Sequence, residues 1–172
     1  DLMNKKNISG RLGVAAFLAA IAYGFIKLFG APKGIRILCY HRVNDQEKGY
    51  LNVPVERFRE QMKFLSDHGY QTISLTDLLA GKGDEKSVVI TFDDGYLDNY
   101  EHAFPSMREY GFHGTLFLIA QKIGEDTFLK ISQIEEMKKA GFDFGSHTLS
   151  HPNLKTLGRD EKLRELSDSK IV

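Results

Sequence analysis

From residue 35 onward, segments of strand composition alternate with segments of helical periodicity, and this alternation restricts the fold more than any other feature of the chain. The runs "IRILCY" (35–40), "YQTISL" (70–75), "SVVITF" (87–92), "TLFLIA" (115–120) and "FDFGSH" (142–147) have the length and composition of strands. Between the first two lies "PVERFREQMKFLSDHG" (54–69), which opens on Pro54, closes on Gly69 and sets Phe58, Met62 and Leu65 on one side, as a helix would. Further helices are expected in "DLLAG" after a Thr76 cap, over 99–111 with an irregularity at Pro105, over 131–141, and from Arg159 toward the C-terminus. Strand and helix in turn is the pattern of a parallel sheet with crossover helices. Such α/β sheets collect their chemistry at the carboxyl ends of the strands.

That rule directs attention to a few polar residues. His41 follows the first strand, Asp93 and Asp94 end "SVVITF", His147 ends "FDFGSH", and His151 stands four residues further on. Two adjacent carboxylates repel each other and are costly to desolvate. One account is structural, with Asp93 capping a helix and Asp94 starting a turn. The other is chemical. In "SHTLSH" the two histidines sit between Gly145 and Pro152, so a loop is expected, and Thr148 stands where the helical HExxH metalloprotease pattern requires glutamate. Two neutral imidazoles joined to the Asp94 carboxylate make a common ligand set for a catalytic zinc or similar divalent ion. A cation there would compensate Asp94 and leave Asp93 free as a base, and Gly95 would let the backbone turn without crowding the metal. Among the other residues, His68 suits a helix C-terminus, and His102 and His113 read as surface positions. Tyr40, Tyr96 and Tyr100 suit either sugar stacking or core packing. Cys39, the single cysteine, reads as a small core residue.

Composition removes other function classes. The 172 residues suit one ordinary domain, and 23 basic against 23 acidic residues, with no dense basic cluster, give no footprint for nucleic acid. One cysteine permits no internal disulfide. Residues 1–30 differ in kind: Lys5, Lys6 and Arg11 precede the uncharged run "LGVAAFLAAIAYGFI" (12–26). This is expected to be a transmembrane signal anchor with its basic end in the cytoplasm, or a signal peptide cleaved near "AIA" (20–22). In the first case the rest is membrane-anchored and extracytoplasmic, and in the second it is secreted. Residues 31–34 would be a linker and 35–172 the domain itself.

"TFDDGY" (91–96), followed some fifty residues later by "SHTLSHPNL" (146–154), resembles the polysaccharide deacetylase family of metal-dependent carbohydrate esterases, and the resemblance extends over residues 35–172. It implies an irregular (β/α) barrel, with Asp93 as general base and Asp94, His147 and His151 as ligands of a divalent metal, zinc foremost, with cobalt or nickel as substitutes. "LCYHRV" (38–43) is similar to the branch that deacetylates poly-β-1,6-N-acetylglucosamine, which implies His41 as the general acid. The implied reaction is hydrolysis of acetamide groups on an N-acetylglucosamine polysaccharide with release of acetate. Peptidoglycan, chitin oligomers or a non-sugar amide are alternative targets, and a glycan-binding fragment without turnover is an alternative role. About five strands are read here where the family's barrel has about seven, so a C-terminally truncated, open barrel with an unpaired sheet edge is expected.

Overall fold

The computed structural model describes residues 34–170, so the expected anchor at 12–26 lies outside the described residues. Among those that are described, no helix is long and apolar enough to cross a membrane.

The centre of the fold is strand β5, Ser87–Phe92, whose six residues are all buried. A strand covered on both faces must satisfy its backbone within the sheet, and the pairing does so. The first strand, β1 (Arg36–Tyr40), runs parallel to β5 along one edge from Arg36 opposite Val88 to Tyr40 opposite Phe92. The other edge of β5 is divided. The two-residue β4 (Gln71–Thr72) pairs with Ser87 and Val88 at its start, whereas β6 (Thr115–Leu118) pairs with Thr91 and Phe92 at its end. Strand β7 (Asp143–Ser146) then runs parallel to β6. The result is the expected α/β architecture with a parallel sheet, ordered β1-β5-β6-β7, with β4 joined to β5. The parallel register brings the carboxyl ends of four strands to one rim.

Helix α1 (Val55–Asp67) packs as its periodicity requires, with Val55, Phe58, Met62 and Leu65 buried. Full burial of a side chain such as Phe58 or Met62 stabilises the fold by about 1.5–3 kcal/mol. Leu38 and Tyr40 of β1 meet this core, with the Tyr40 ring 5.1 Å from Phe58 and 5.5 Å from Phe92. Side chains alternate across a strand, so Cys39 takes the opposite face and is exposed, contrary to its reading as a core residue.

Other local readings are also corrected. Ser74, not Thr76, caps α2 (Leu75–Leu79): its hydroxyl accepts a hydrogen bond from the Asp77 amide at 2.9 Å. The strand read over 70–75 is therefore cut to Gln71–Thr72, because the chain must turn to present that cap. The helix read over 99–111 divides into a π-helical turn, Asn99–Ala103, and α3, Phe104–Arg108. Pro105 lacks an N–H, so it suits the first turn of a new helix better than the interior of a continuous one. Helix α4 (Ile131–Lys139) and helix α5 (Arg159–Ser167) fall where expected. A two-stranded parallel sheet of β2 (Arg42–Val43) and β3 (Asn52–Val53) was not foreseen.

Candidate active site

The rim carries the residues that the strand-end rule selects. The Asp93 amide donates to the Tyr40 carbonyl at 2.9 Å, which continues the β1–β5 ladder by one residue. The chain then breaks from strand geometry: Asp94 has φ 73° and Gly95 φ 78°. A left-handed conformation is unfavourable for a residue with a side chain, by about 1–2 kcal/mol, and such strain gathers at functional positions. Glycine suits position 95 first for the expected reason, the sharp turn, since φ 78° lies in the region that side chains disfavour. A Cβ there would also come within 2.6 Å of Leu118 Cδ2 on β6, so the close neighbour is a side chain of the adjacent strand rather than the candidate metal ligands.

The turn sends the two carboxylates to different partners. Asp94 is buried, 7 % exposed, and its Oδ1 has no hydrogen-bond partner among the described residues. Facing that oxygen are His147 Nε2 at 3.5 Å and His151 Nε2 at 3.7 Å. The two imidazoles stack, with ring centroids 4.7 Å apart. An unpaired buried carboxylate oxygen is costly, and a cation would satisfy it. Zinc bonds of about 2.0–2.2 Å at tetrahedral angles set ligand atoms roughly 3.3–3.6 Å apart, close to the separations found. Asp94, His147 and His151 thus form a group that fits a divalent metal ion.

Asp93 points elsewhere. Its Oδ2 lies 3.9 Å from His41 Nε2, and both side chains are about three-quarters buried, 22 % and 25 % exposed. The Cys39 Sγ approaches the same oxygen at 3.5 Å. Partial shielding of the sulfur pushes the thiol pKa up; the Thr91 hydroxyl works against this, and the Asp93 charge adds to it.

Two sets of supporting residues escape a reading of the sequence. The first follows the motif directly, in "LDNY" (97–100). The buried Asp98 carboxylate accepts from the Val43 amide at 3.2 Å, Asn44 Nδ2 at 2.8 Å and Asn99 Nδ2 at 3.1 Å. Asn99 Nδ2 also donates to the His41 carbonyl at 2.8 Å, so the segment after β1 is tied to the segment after β5. Two polar residues placed just after a strand-end motif were the available signal. The second is Glu165 on α5, whose Oε2 accepts from the Leu149 and Ser150 amides at 3.0 and 2.9 Å, and whose Oε1 accepts from Ser150 Oγ at 2.7 Å. It clasps the loop between His147 and His151, in which Thr148 (φ 66°) and His151 (φ 61°) are also left-handed. The Ser150 hydroxyl, followed by the backbone amides, holds the Glu165 pKa below its ordinary value. In the sequence this glutamate is one charge among several on an exposed helix.

Of the remaining singled-out residues, only Tyr96 adjoins the cluster: burial pushes its hydroxyl pKa up, the Arg42 guanidinium works against this, and the Asp94 carboxylate adds to it. His68 caps α1, with its Nδ1 2.8 Å from the Phe64 carbonyl, as expected of a helix end. Neither His102 nor His113 belongs to the metal-fitting groups found among the described residues. Tyr40 is a core residue whose hydroxyl donates to Gln61 at 2.9 Å, and burial pushes its pKa up to about 12. Tyr96 lies 3.7 Å beneath the Arg42 guanidinium, and the Tyr100 hydroxyl donates to Glu136.

Comparison with known proteins agrees with this rim. The chain is 40% identical over 144 residues to the protein named "Putative polysaccharide deacetylase YxkH" from Bacillus subtilis (strain 168), a match covering 81% of this chain and 51% of that protein. It is 31% identical over 131 residues to the poly-beta-1,6-N-acetyl-D-glucosamine N-deacetylase of Staphylococcus aureus (strain MRSA252), covering 70% of this chain and 45% of the relative. The chain therefore spans about half the length of these curated relatives. Among solved structures, the Streptococcus pyogenes deacetylase PplD in complex with acetate superposes with a TM-score of 0.76 at 29% identity, over 82% of this chain and 68% of that one. The family profile described as polysaccharide deacetylase matches residues 80–172, which include Asp93, Asp94, His147 and His151. This chain belongs to the polysaccharide deacetylase family.

Proposed function

We propose that this chain contributes the base, the acid and the metal ligands for hydrolysis of acetamide groups on an N-acetylglucosamine polysaccharide. The observation that carries the reading is the buried, unpartnered Asp94 Oδ1 facing two imidazoles, with Asp93 beside it turned to a third. Asp94, His147 and His151 would hold a divalent cation, zinc foremost with cobalt or nickel as substitutes; when bound it supplies Lewis acidity toward the acetamide carbonyl and toward water.

The chain's own groups then divide the proton work. Asp93 Oδ2 takes a proton from the attacking water. Oxygen adds to the carbonyl carbon, and the C–N bond breaks as His41 Nε2 delivers a proton to the departing amine. Acetate and a free glucosamine unit result. The β-1,6-linked polymer is favoured because the S. aureus relative is named for it. The sheet would form part of an irregular (β/α) barrel. Lys5, Lys6 and Arg11 ahead of the uncharged run 12–26 support an exported, membrane-tethered location, or secretion after cleavage.

The test is acetate release from β-1,6- and β-1,4-linked N-acetylglucosamine oligomers, with zinc or cobalt, beside the Asp93→Asn variant. Metal-dependent release that disappears in the variant supports the reading. Absence of release from a folded, metal-binding protein would move it to another amide or to a binding role.

A further inference from the structure

Cys39, His41 and Asp93 present a sulfur, an imidazole nitrogen and a carboxylate oxygen that lie within 4.8 Å of one another. The Cys39 Sγ and the His41 Nε2 approach the same oxygen, Asp93 Oδ2, at 3.5 and 3.9 Å. Zinc–sulfur bonds of about 2.3 Å and zinc–nitrogen or –oxygen bonds of about 2.0–2.2 Å put tetrahedral ligand atoms roughly 3.3–3.7 Å apart. The triad therefore needs only small side-chain shifts to close on a cation, and Cys39 sits on the exposed face of β1, where a cation can reach it.

We propose that Cys39, His41 and Asp93 form a second, inhibitory site for a thiophilic divalent cation, separate from the Asp94–His147–His151 group. On binding, the Cys39 thiol proton passes to solvent, a sulfur–metal bond forms, and Asp93 Oδ2 and His41 Nε2 become ligands. Both are then withdrawn from proton transfer. Soft and borderline ions such as zinc, cadmium and cobalt are favoured by the thiolate, whereas magnesium and calcium are not. Excess zinc would thus stop the enzyme without displacing the first ion. The inhibitory part of this inference rests on the roles proposed for Asp93 and His41; the binding part does not.

The adjacent aspartates supply the charge that two neighbouring sites need. Each cation takes one carboxylate, so the pair carries compensating charge at both positions. Cys39 is exposed, so Cys39→Ser should fold, and its own rate before excess zinc is the reference against which any fall is read.

The experiment is a titration with cobalt alone, followed by absorption spectroscopy, together with acetate release measured across a zinc series. In the natural chain two equivalents should bind, with sulfur-to-cobalt charge-transfer absorption belonging to one of them. Cys39→Ser should bind one equivalent without that absorption. Asp94→Ala should lose the other equivalent and keep the sulfur band. Acetate release should rise with the first equivalent of zinc and fall about a hundredfold or more with the second, a fall that Cys39→Ser abolishes. Binding of a single equivalent without a sulfur band, or an identical zinc inhibition in Cys39→Ser, would overturn the proposal. If the deacetylase reading were itself wrong, no acetate would appear at any zinc level, yet the sulfur band would still report on the second site.

Discussion

Asp93 and Asp94 are neighbours in the chain and face different histidines: Oδ2 of the first lies 3.9 Å from His41, and Oδ1 of the second lies 3.5 Å from His147. The positive φ of Asp94 separates them. Substitutions at the two positions should therefore have different signatures. Asp93→Asn should retain the metal and lose about 10²–10⁴ in kcat. Asp94→Ala on a Cys39→Ser background should lose zinc affinity, read by equilibrium dialysis. Full zinc occupancy in that double variant would mean that the ligand set is wrong.

Glu165 touches no candidate ligand side chain, yet it fixes the loop that carries two of them. Residues that orient metal ligands from behind commonly change affinity by about 10–100-fold when replaced, and Glu165→Gln is expected to weaken zinc binding in that range while leaving the helix content unchanged. Its pH dependence has a definite sign. A carboxyl group whose folded pKa is lowered contributes stability above its unfolded pKa and loses that contribution as pH falls through the folded one. Thermal unfolding followed from neutral pH into the acid should therefore show a loss of Tm that Glu165→Gln diminishes. Parallel pH profiles for the two proteins would refute the clasp.

Asn99 acts on His41 through the backbone, by donating to its carbonyl. Asn99→Ala is expected to reduce kcat about tenfold, the lower range of losses seen when a proton-transfer group is mispositioned, with KM little changed. Asp98→Ala removes the acceptor for three donors and leaves buried polar groups unsatisfied, at about 1–3 kcal/mol. Its expected phenotype is a lower Tm. A normal Tm with normal kcat in both variants would remove these residues from the support of the site.

Gly95→Ala combines an unfavourable φ with a Cβ 2.6 Å from Leu118 Cδ2. The backbone term alone is about 1–2 kcal/mol, and displacement of Leu118 adds to it. Chemical denaturation should show a clear loss of stability, accompanied by weaker metal binding because Asp94 is the preceding residue. An alanine variant as stable as the natural chain would show that β6 can yield at this point.

The parts of this molecule that were legible in the sequence are those fixed by one strong local signal. The run from Ser87 to Phe92 is uninterrupted by polar bulk and becomes the central buried strand, and the strand-end rule then finds Asp93, Asp94, His147 and the approach to His151. Phe58, Met62 and Leu65 announce their helix face. What escaped depends on contacts distant in sequence or on competition between equal local choices. Ser74 and Thr76 are both good caps, and only the short pairing of Gln71–Thr72 with β5 decides between them. Cys39 is apolar enough for a core, but the phase of β1, set by Leu38 and Tyr40 packing onto α1, turns it away. Glu165 finds its partners 15 and 16 residues upstream, beyond any local pattern.

The divided edge of β5 has a mechanical consequence. Because β4 holds the start of that edge and β6 the end, while β1 runs along the other edge, β5 is braced from both sides at its start and at the rim. Gly114 permits the pairing with β6, since a Cβ there would stand 2.8 Å from the Ile90 carbonyl oxygen. The carboxylate pair leaves β5 directly after Phe92, which is paired with Tyr40 on one side and Leu116 on the other, so the two aspartates depart from a keystone held by both neighbouring strands.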